Sequence, residues 1–160
     1  MSFNHFDDKG QAIMVDVSGK QPTLRTATAA ATVAMRPETL AAVLEGRSAK
    51  GDVLGVARLA GIAAAKKTPD LIPLSHPLAI HHAAIEFETD AATGVVTVNA
   101  TVRAFERTGV EMEAMTSAAV AALTIYDMCK GADKGISIGE IRLLFKEGGK
   151  SGTWQREEKR

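Results

Sequence analysis

A lone cysteine, Cys129, leaves this 160-residue chain without an internal disulfide, so packing must hold whatever fold it has. Neither sign of charge predominates, with nineteen Lys and Arg against nineteen Asp and Glu. That balance argues against a broad nucleic-acid or anionic-membrane surface, while leaving room for a local basic pocket. No apolar run approaches the roughly 18 residues of a membrane span, and no charged-then-apolar leader opens the chain, so the cytoplasm is the expected location. There is no CxxC, no HExxH and no other ligand spacing among the four histidines and Cys129, and no protein-bound metal is expected. No internal repeat or low-complexity segment interrupts the 46% apolar chain, which suits one domain spanning 1–160 with flexible ends at about 1–13 and 153–160.

What is present centres on residues 107–131, RTGVEMEAMTSAAVAALTIYDMCKG. Thr108 followed by Glu111 has the spacing of a capping box, and Gly131 suits a left-handed C-terminal cap. Between them Met112, Met115, Ala119, Ala122, Leu123 and Tyr126 recur at three and four and predict a core stripe. Glu113 and Asp127 fall within about 40° of each other on a second face, looking outward, yet lie ~21 Å apart along the axis. If both serve one reaction on a small substrate, a second subunit must supply one of them.

Around this helix the pattern changes period. Residues 1–22 predict an irregular arm around Met14, Val15 and Val17. Leu24–Met35 alternates as a strand, and Pro37 opens a helix that runs to Gly46. A second helix opens near Asp52, ends in Lys66 and Lys67, and is closed by Pro69. DLIPLSHPLAI (70–80) carries two prolines and predicts an ordered loop. Ala83–Phe87 and Val96–Val102 form a hairpin about DAATG (90–94), and Ile136–Phe145 is a last strand with a bulge at Gly139. From Lys150 the chain is polar. The order is β-α-β-β-α-β with the first helix split, an α+β ferredoxin-like fold: an antiparallel sheet with helices on one face. The uncovered face predicts an oligomer.

Several residues suit chemistry. Glu111 and Glu113 point about 200° apart and so take different jobs; capping alone accounts for Glu111, but not for Glu113. Asp127 and Lys130, three apart, make either a surface pair or a carboxylate exchanging a proton with a tuned lysine. His76, half way along the proline loop, needs a partner or a task; Ser75 beside it lacks the glycine-flanked elbow of a nucleophile. GGKSG (148–152) is no phosphate loop, because Leu144 stands at the required earlier glycine. Lys146 and Lys150 on that glycine-rich backbone could still wrap an anion, although Lys150 reads best as a solvated turn residue. Lys50 and Gly51 precede a helix N-terminus, a good place for phosphate.

MVDVSGK (14–20), KGDVLGVARLAGIAAAKKTPDLIPLSHPL (50–78), TGVEMEAM (108–115), LTIYDMCKG (123–131) and GGKSG together resemble one family from about residue 14 to 152. It is the cyclic pyranopterin monophosphate synthase family, the C protein of molybdenum cofactor biosynthesis. The resemblance implies a lyase that follows a radical GTP cyclase. Such an enzyme rearranges cyclised dihydro-GTP to cyclic pyranopterin monophosphate and releases pyrophosphate. It implies a homohexamer, a trimer of dimers with interfacial sites. No cofactor is tightly bound, and Mg²⁺ enters at most with the triphosphate.

Carried over by motif, Asp127 and Lys130 match a catalytic aspartate and its partner lysine. Lys50, His76, Glu111, Glu113 and Lys146 match other active-site positions, and Leu74, Ser75, His76, Met112 and Glu113 match substrate-binding segments. Lys50, Lys146 and Arg25 suit the triphosphate. Two positions depart from the family pattern, Ser75 where the loop commonly has cysteine and Arg107 where lysine usually precedes TGVEMEA. Arginine keeps a charge for phosphate but does not exchange protons readily. The competing reading is a noncatalytic ferredoxin-like module that binds a phosphorylated metabolite.

Overall fold

The computed structural model describes residues 5–48 and 50–157. Strand β1 (Thr23–Ala34) leads through α1 (Pro37–Leu44) and α2 (Val53–Leu71) to the hairpin of β2 (His82–Asp90) and β3 (Val95–Glu106). Then come α3 (Glu111–Cys129), β4 (Ser137–Glu147) and a short β5 (Trp154–Gln155). The sheet order is β2-β3-β1-β4-β5 with every pairing antiparallel. Three helices on an antiparallel sheet make the α+β arrangement expected from the sequence. Among its described residues the arm before β1 holds turns, bends and an isolated bridge between Phe6 and Ala12, and of the ends expected to be flexible, 1–13 and 153–160, residues 1–4 and 158–160 lie outside the described ones.

Alternation places one row of each central strand under the helices. Ala27, Ala29, Ala31 and Val33 of β1, with Val96, Val98, Ala100, Val102 and Ala104 of β3, are fully buried. The opposite row carries threonines, and Thr28 and Thr101 share a 2.9 Å hydroxyl hydrogen bond across the strands. Small side chains let the helices approach closely. Gly61 in mid-α2 suits this approach, since a Cβ there would lie 3.0 Å from Ile85 and 3.1 Å from the Ser117 carbonyl, tighter than ordinary packing contacts. Ser117 returns the contact by donating to the Gly61 carbonyl at 2.6 Å.

Four local expectations change. The buried face of α3 is Ala114, Ala118, Ala121, Ala122, Ile125 and Cys129, while Met112 and Leu123 of the expected stripe are exposed. The alanine-lined sheet selects the small face of the helix, because only that face lets backbone and sheet close without voids. No capping box forms. Val110 is the N-cap with no side-chain bond, and helix begins at Glu111. At the other end Lys130, in the right-handed region, caps α3, and the Cys129 carbonyl instead accepts from Ala132 and Asp133. Pro69 sits inside α2 rather than closing it. Proline's φ is helical and so near the end it forfeits one hydrogen bond only, after which the Ile72 N–H closes the last turn on Thr68 at 2.9 Å.

The bulge begins at Gly139 as expected, but the left-handed residue is Glu140, at φ 50°. Arg142 steadies it by donating to its carbonyl and carboxylate at 3.1 and 2.7 Å. β5 pairs with β4 beyond the last strand expected from the sequence.

Candidate active site

Helices α2 and α3 both return from strands of antiparallel sense, so they lie antiparallel, with Gly61 and Ser117 meeting near their middles. The C-terminal end of α2 therefore meets the start of α3, and the end of α3 meets the start of α2. The candidate residues divide between these two ends.

At the start of α3 lies a cleft of about 740 Å³. Lys20 of the arm, Arg25 of β1, Arg107, Lys146 and Lys150 line it, against only two acids, Glu111 and Glu147. Arg25 is aimed by hydrogen bonds from its guanidinium to the carbonyls of Glu106 (3.1 Å) and Arg107 (3.2 Å). The Lys146 ammonium donates to the Ser151 hydroxyl and lies 3.7 Å from Glu111. Gly148 and Gly149 take positive φ, 103° and 73°, and a Cβ would run into the Leu24 carbonyl or the Arg25 guanidinium. The GGKSG turn thus lies against Arg25 as only glycine permits. Five cations around one concavity suit an anion carrying several charges.

Two residues on from Glu111, the carboxyl of Glu113 is buried, and its Oε1 has no hydrogen-bond partner. Burial, and secondarily the like charge of Glu111, push it up from 4.5 to about 7. An acid half-protonated at neutrality can both give and take a proton. It does not look outward as the helical wheel predicts: only 2% of the residue is exposed. Between pH 4.5 and 7 the unfolded chain has released this proton and the native chain keeps it, so stability falls as pH rises through that window and stays lower above it. The penalty is on the order of 3 kcal/mol. Glu113→Gln removes it, and calorimetry is expected to show a melting temperature roughly 5–10 °C above wild type at pH 8. The two curves should converge near pH 4; a gap persisting there would trace to packing instead.

The proline loop Leu74–Ser75–His76 is half-buried and ordered. His76 Nε2 lies 2.7 Å from the Val15 carbonyl, which can only accept, so Nε2 carries the proton and Nδ1 is left as an acceptor. This bond joins the arm carrying Lys20 to the loop that follows α2. Met112 is exposed on the first turn of α3.

At the far end of α3 the Lys50 ammonium donates to the Asp127 carbonyl at 2.8 Å and lies 3.7 Å from its carboxylate, to which Lys130 also donates. Lys130 and then Lys50 hold Asp127 below the usual carboxylate range, and Asp127 in turn raises Lys130. At neutral pH the cluster is an ionised carboxylate between two ammonium groups, an acceptor beside donors. Asp127 and Glu111 are sixteen positions apart, about 24 Å along the helix, so one small molecule cannot reach both ends within one chain.

Sequence reasoning picked Lys146 and Arg25, which line the cleft, and the Asp127–Lys130 pair; it also picked Lys50 for the triphosphate, but the fold places Lys50 with that pair at the other end of α3. It passed over Lys20, took Arg107 only as a departure, and set Lys150 aside as a solvated turn; all three line the cleft. The GK of VSGK and the GK of GGKSG were the available signals. Their convergence depends on β1 lying beside β4, which no local spacing reveals. No three His, Cys, Asp or Glu side chains gather as a metal site among the described residues, and no helix among them is long and apolar enough to cross a membrane.

The MoaC family pattern matches residues 14–149. The chain is similar to the cyclic pyranopterin monophosphate synthase of Geobacter sulfurreducens, at 87% identity over 158 residues and 99% of each chain. It is similar to that of Geotalea uraniireducens at 78% over 160 residues and all of each chain. The synthase of Chloroflexus aurantiacus is 55% identical over 152 residues, 95% of this chain and 93% of its own.

Proposed function

The chain belongs to the MoaC family, and from that membership we propose that its cationic cleft and its Lys50–Asp127–Lys130 cluster are two halves of one active site. The activity is that of a cyclic pyranopterin monophosphate synthase in molybdenum cofactor biosynthesis, a pyrophosphate-releasing lyase acting on a cyclised, GTP-derived substrate. The specific substrate proposed is 3',8-cyclo-7,8-dihydro-GTP, delivered by a radical GTP cyclase in the cytoplasm. The observation that carries the site assignment is the ring of five cations around the cleft.

Closing a cyclic phosphate while expelling pyrophosphate forms one O–P bond to the α-phosphorus and breaks its bridge to the β-phosphate. Negative charge grows on the leaving oxygens. Lys20, Arg25, Arg107, Lys146 and Lys150 hold the triphosphate and stabilise that charge in place. In this role Arg107 serves as well as lysine, whereas a proton-transfer role would not survive the arginine. The ring rearrangement needs proton transfers, which Asp127 as base, Lys130 as acid, Glu113 near its midpoint and His76 through Nδ1 supply. Glu111 holds Lys146, and Leu74, Ser75 and Met112 border the organic part of the substrate. No resident cofactor is needed, and Mg²⁺ enters only as the escort of the triphosphate.

The two ends are separated along α3, so the site is completed by a second copy, within a homohexamer built as a trimer of dimers. Incubating the purified protein with the cyclised dihydro-GTP tests the reading. Pyrophosphate and the pterin product are expected in equal amounts; tight binding with neither product would favour a noncatalytic module. Lys146→Ala is expected to raise KM by about tenfold or more with a smaller change in kcat, since it removes one charge-assisted phosphate contact. An unchanged KM in steady-state kinetics would remove Lys146 from the phosphate site.

A further inference from the structure

We propose that Asp133 is a positioning residue for the catalytic cluster: its buried carboxylate ties the start of α1 to the turn after α3 and thereby sets where Lys50 meets Asp127. The inference rests on reading that cluster as half of the active site. Asp133 is only 6% exposed. One carboxylate oxygen accepts from the Arg36 backbone N–H at 2.9 Å and the Thr39 hydroxyl at 3.3 Å, and lies 3.4 Å from the Arg36 guanidinium. The other accepts from the Gly135 N–H at 3.0 Å. Arg36 also donates to the Ala132 carbonyl at 2.7 Å, so two groups of the turn grip one residue at the start of α1.

The position of α1 rests on this grip together with one core anchor, the fully buried Leu40. The helix is eight residues long, buries only Thr39 and Leu40, and packs extensively against no other element. Between α1 and the end of α3 lies a hollow of about 510 Å³, whose lining includes Arg36, Thr39, Lys50, Cys129 and Ala132. Asp133 bridges α1 to the end of α3, and Lys50 bridges to the same helix end from the loop after α1. Releasing the first bridge loosens the approach to Lys50 from α1, while Asp52 and the buried Val53 still hold the chain at the start of α2, so what shifts is the exposed Lys50 contact. Asp127 and Lys130 share a helix and stay together regardless.

Zero-length carbodiimide coupling of the intact protein, read by peptide mass spectrometry, measures the geometry without reference to turnover. Asp127 can form an amide with Lys50 or with Lys130, and the second, on the same helix, is an internal control. Asp133→Asn is expected to cut the Lys50-to-Lys130 product ratio at least about fivefold. It is also expected to lower kcat about tenfold with KM little changed, and to slow a Lys50→Ala enzyme no further, since both changes act through one contact. Arg36→Met combined with Thr39→Val, which strips the α1 side-chain contacts from Asp133 and leaves only the Arg36 backbone N–H of that bridge, reads the same coupling ratio, with a smaller drop expected, should Asp133→Asn fail to fold. An unchanged ratio in a folded variant, or losses that multiply in the double variant, would overturn the proposal. Full activity of Lys50→Ala alone would overturn the catalytic reading of the cluster, while the coupling ratio would still decide the positioning.

Discussion

Asp127→Asn is expected to lower kcat by about 10³-fold, within the range supplied by a positioned general base, while KM and the melting temperature stay near wild type. The substitution keeps the shape of the side chain and removes both its charge and its capacity to take a proton. The side chain of Asp127 is 59% exposed and contributes no core packing, so nothing in the fold depends on it. What depends on it is the pairing of an ionised carboxylate with Lys130, whose proton it holds in place. Lys130→Ala is expected to fail in the same way, in kcat rather than KM. Steady-state kinetics beside thermal unfolding decides the matter. Full activity in either variant would rule out the roles assigned to the pair.

The second large effect is a restoration. Asp127→Asn spoils the cluster, and Arg25→Ala with Lys146→Ala spoils the cleft, so each protein alone is expected to be nearly inactive at low substrate. If a two-fold interface joins the cleft of one copy to the cluster of the other, a mixed dimer holds one site with both defects and one with neither. Random reassociation of equal amounts then makes half the dimers mixed, with half their sites intact. About one quarter of wild-type activity should return. A site contained in one chain would leave the mixture as inactive as its parts. Assay of the unfractionated reassociated mixture gives the answer directly, and double-tag purification of the mixed dimers would raise the expected fraction to about one half.

These expectations draw unequally on sequence and structure. Alternation in β1 and β3 was legible because a two-residue period fixes which side chains share a face, whatever the strands pair with. Asp127 and Lys130 were legible as a pair for the same reason, three positions on one helix. The capping box failed because Thr108 lies in the turn before the helix, so Glu111 is left to meet Lys146 instead. The core stripe failed because large apolar residues were taken as the buried ones. A sheet lined with alanine makes room for the alanine face of α3 and leaves Met112 and Leu123 outside.

Periodicity, turn residues and the order of elements determined the α+β fold and the helix that carries most of the candidate residues, since these are properties of neighbours along the chain. Only tertiary structure decided that Lys50 joins Asp127, that Glu113 is buried and held near neutrality, and that Lys20, Arg25, Arg107, Lys146 and Lys150 face one cleft. Those residues come together through strand register and antiparallel helices. Such contacts join positions far apart in the chain, and neither residue type nor local spacing encodes them.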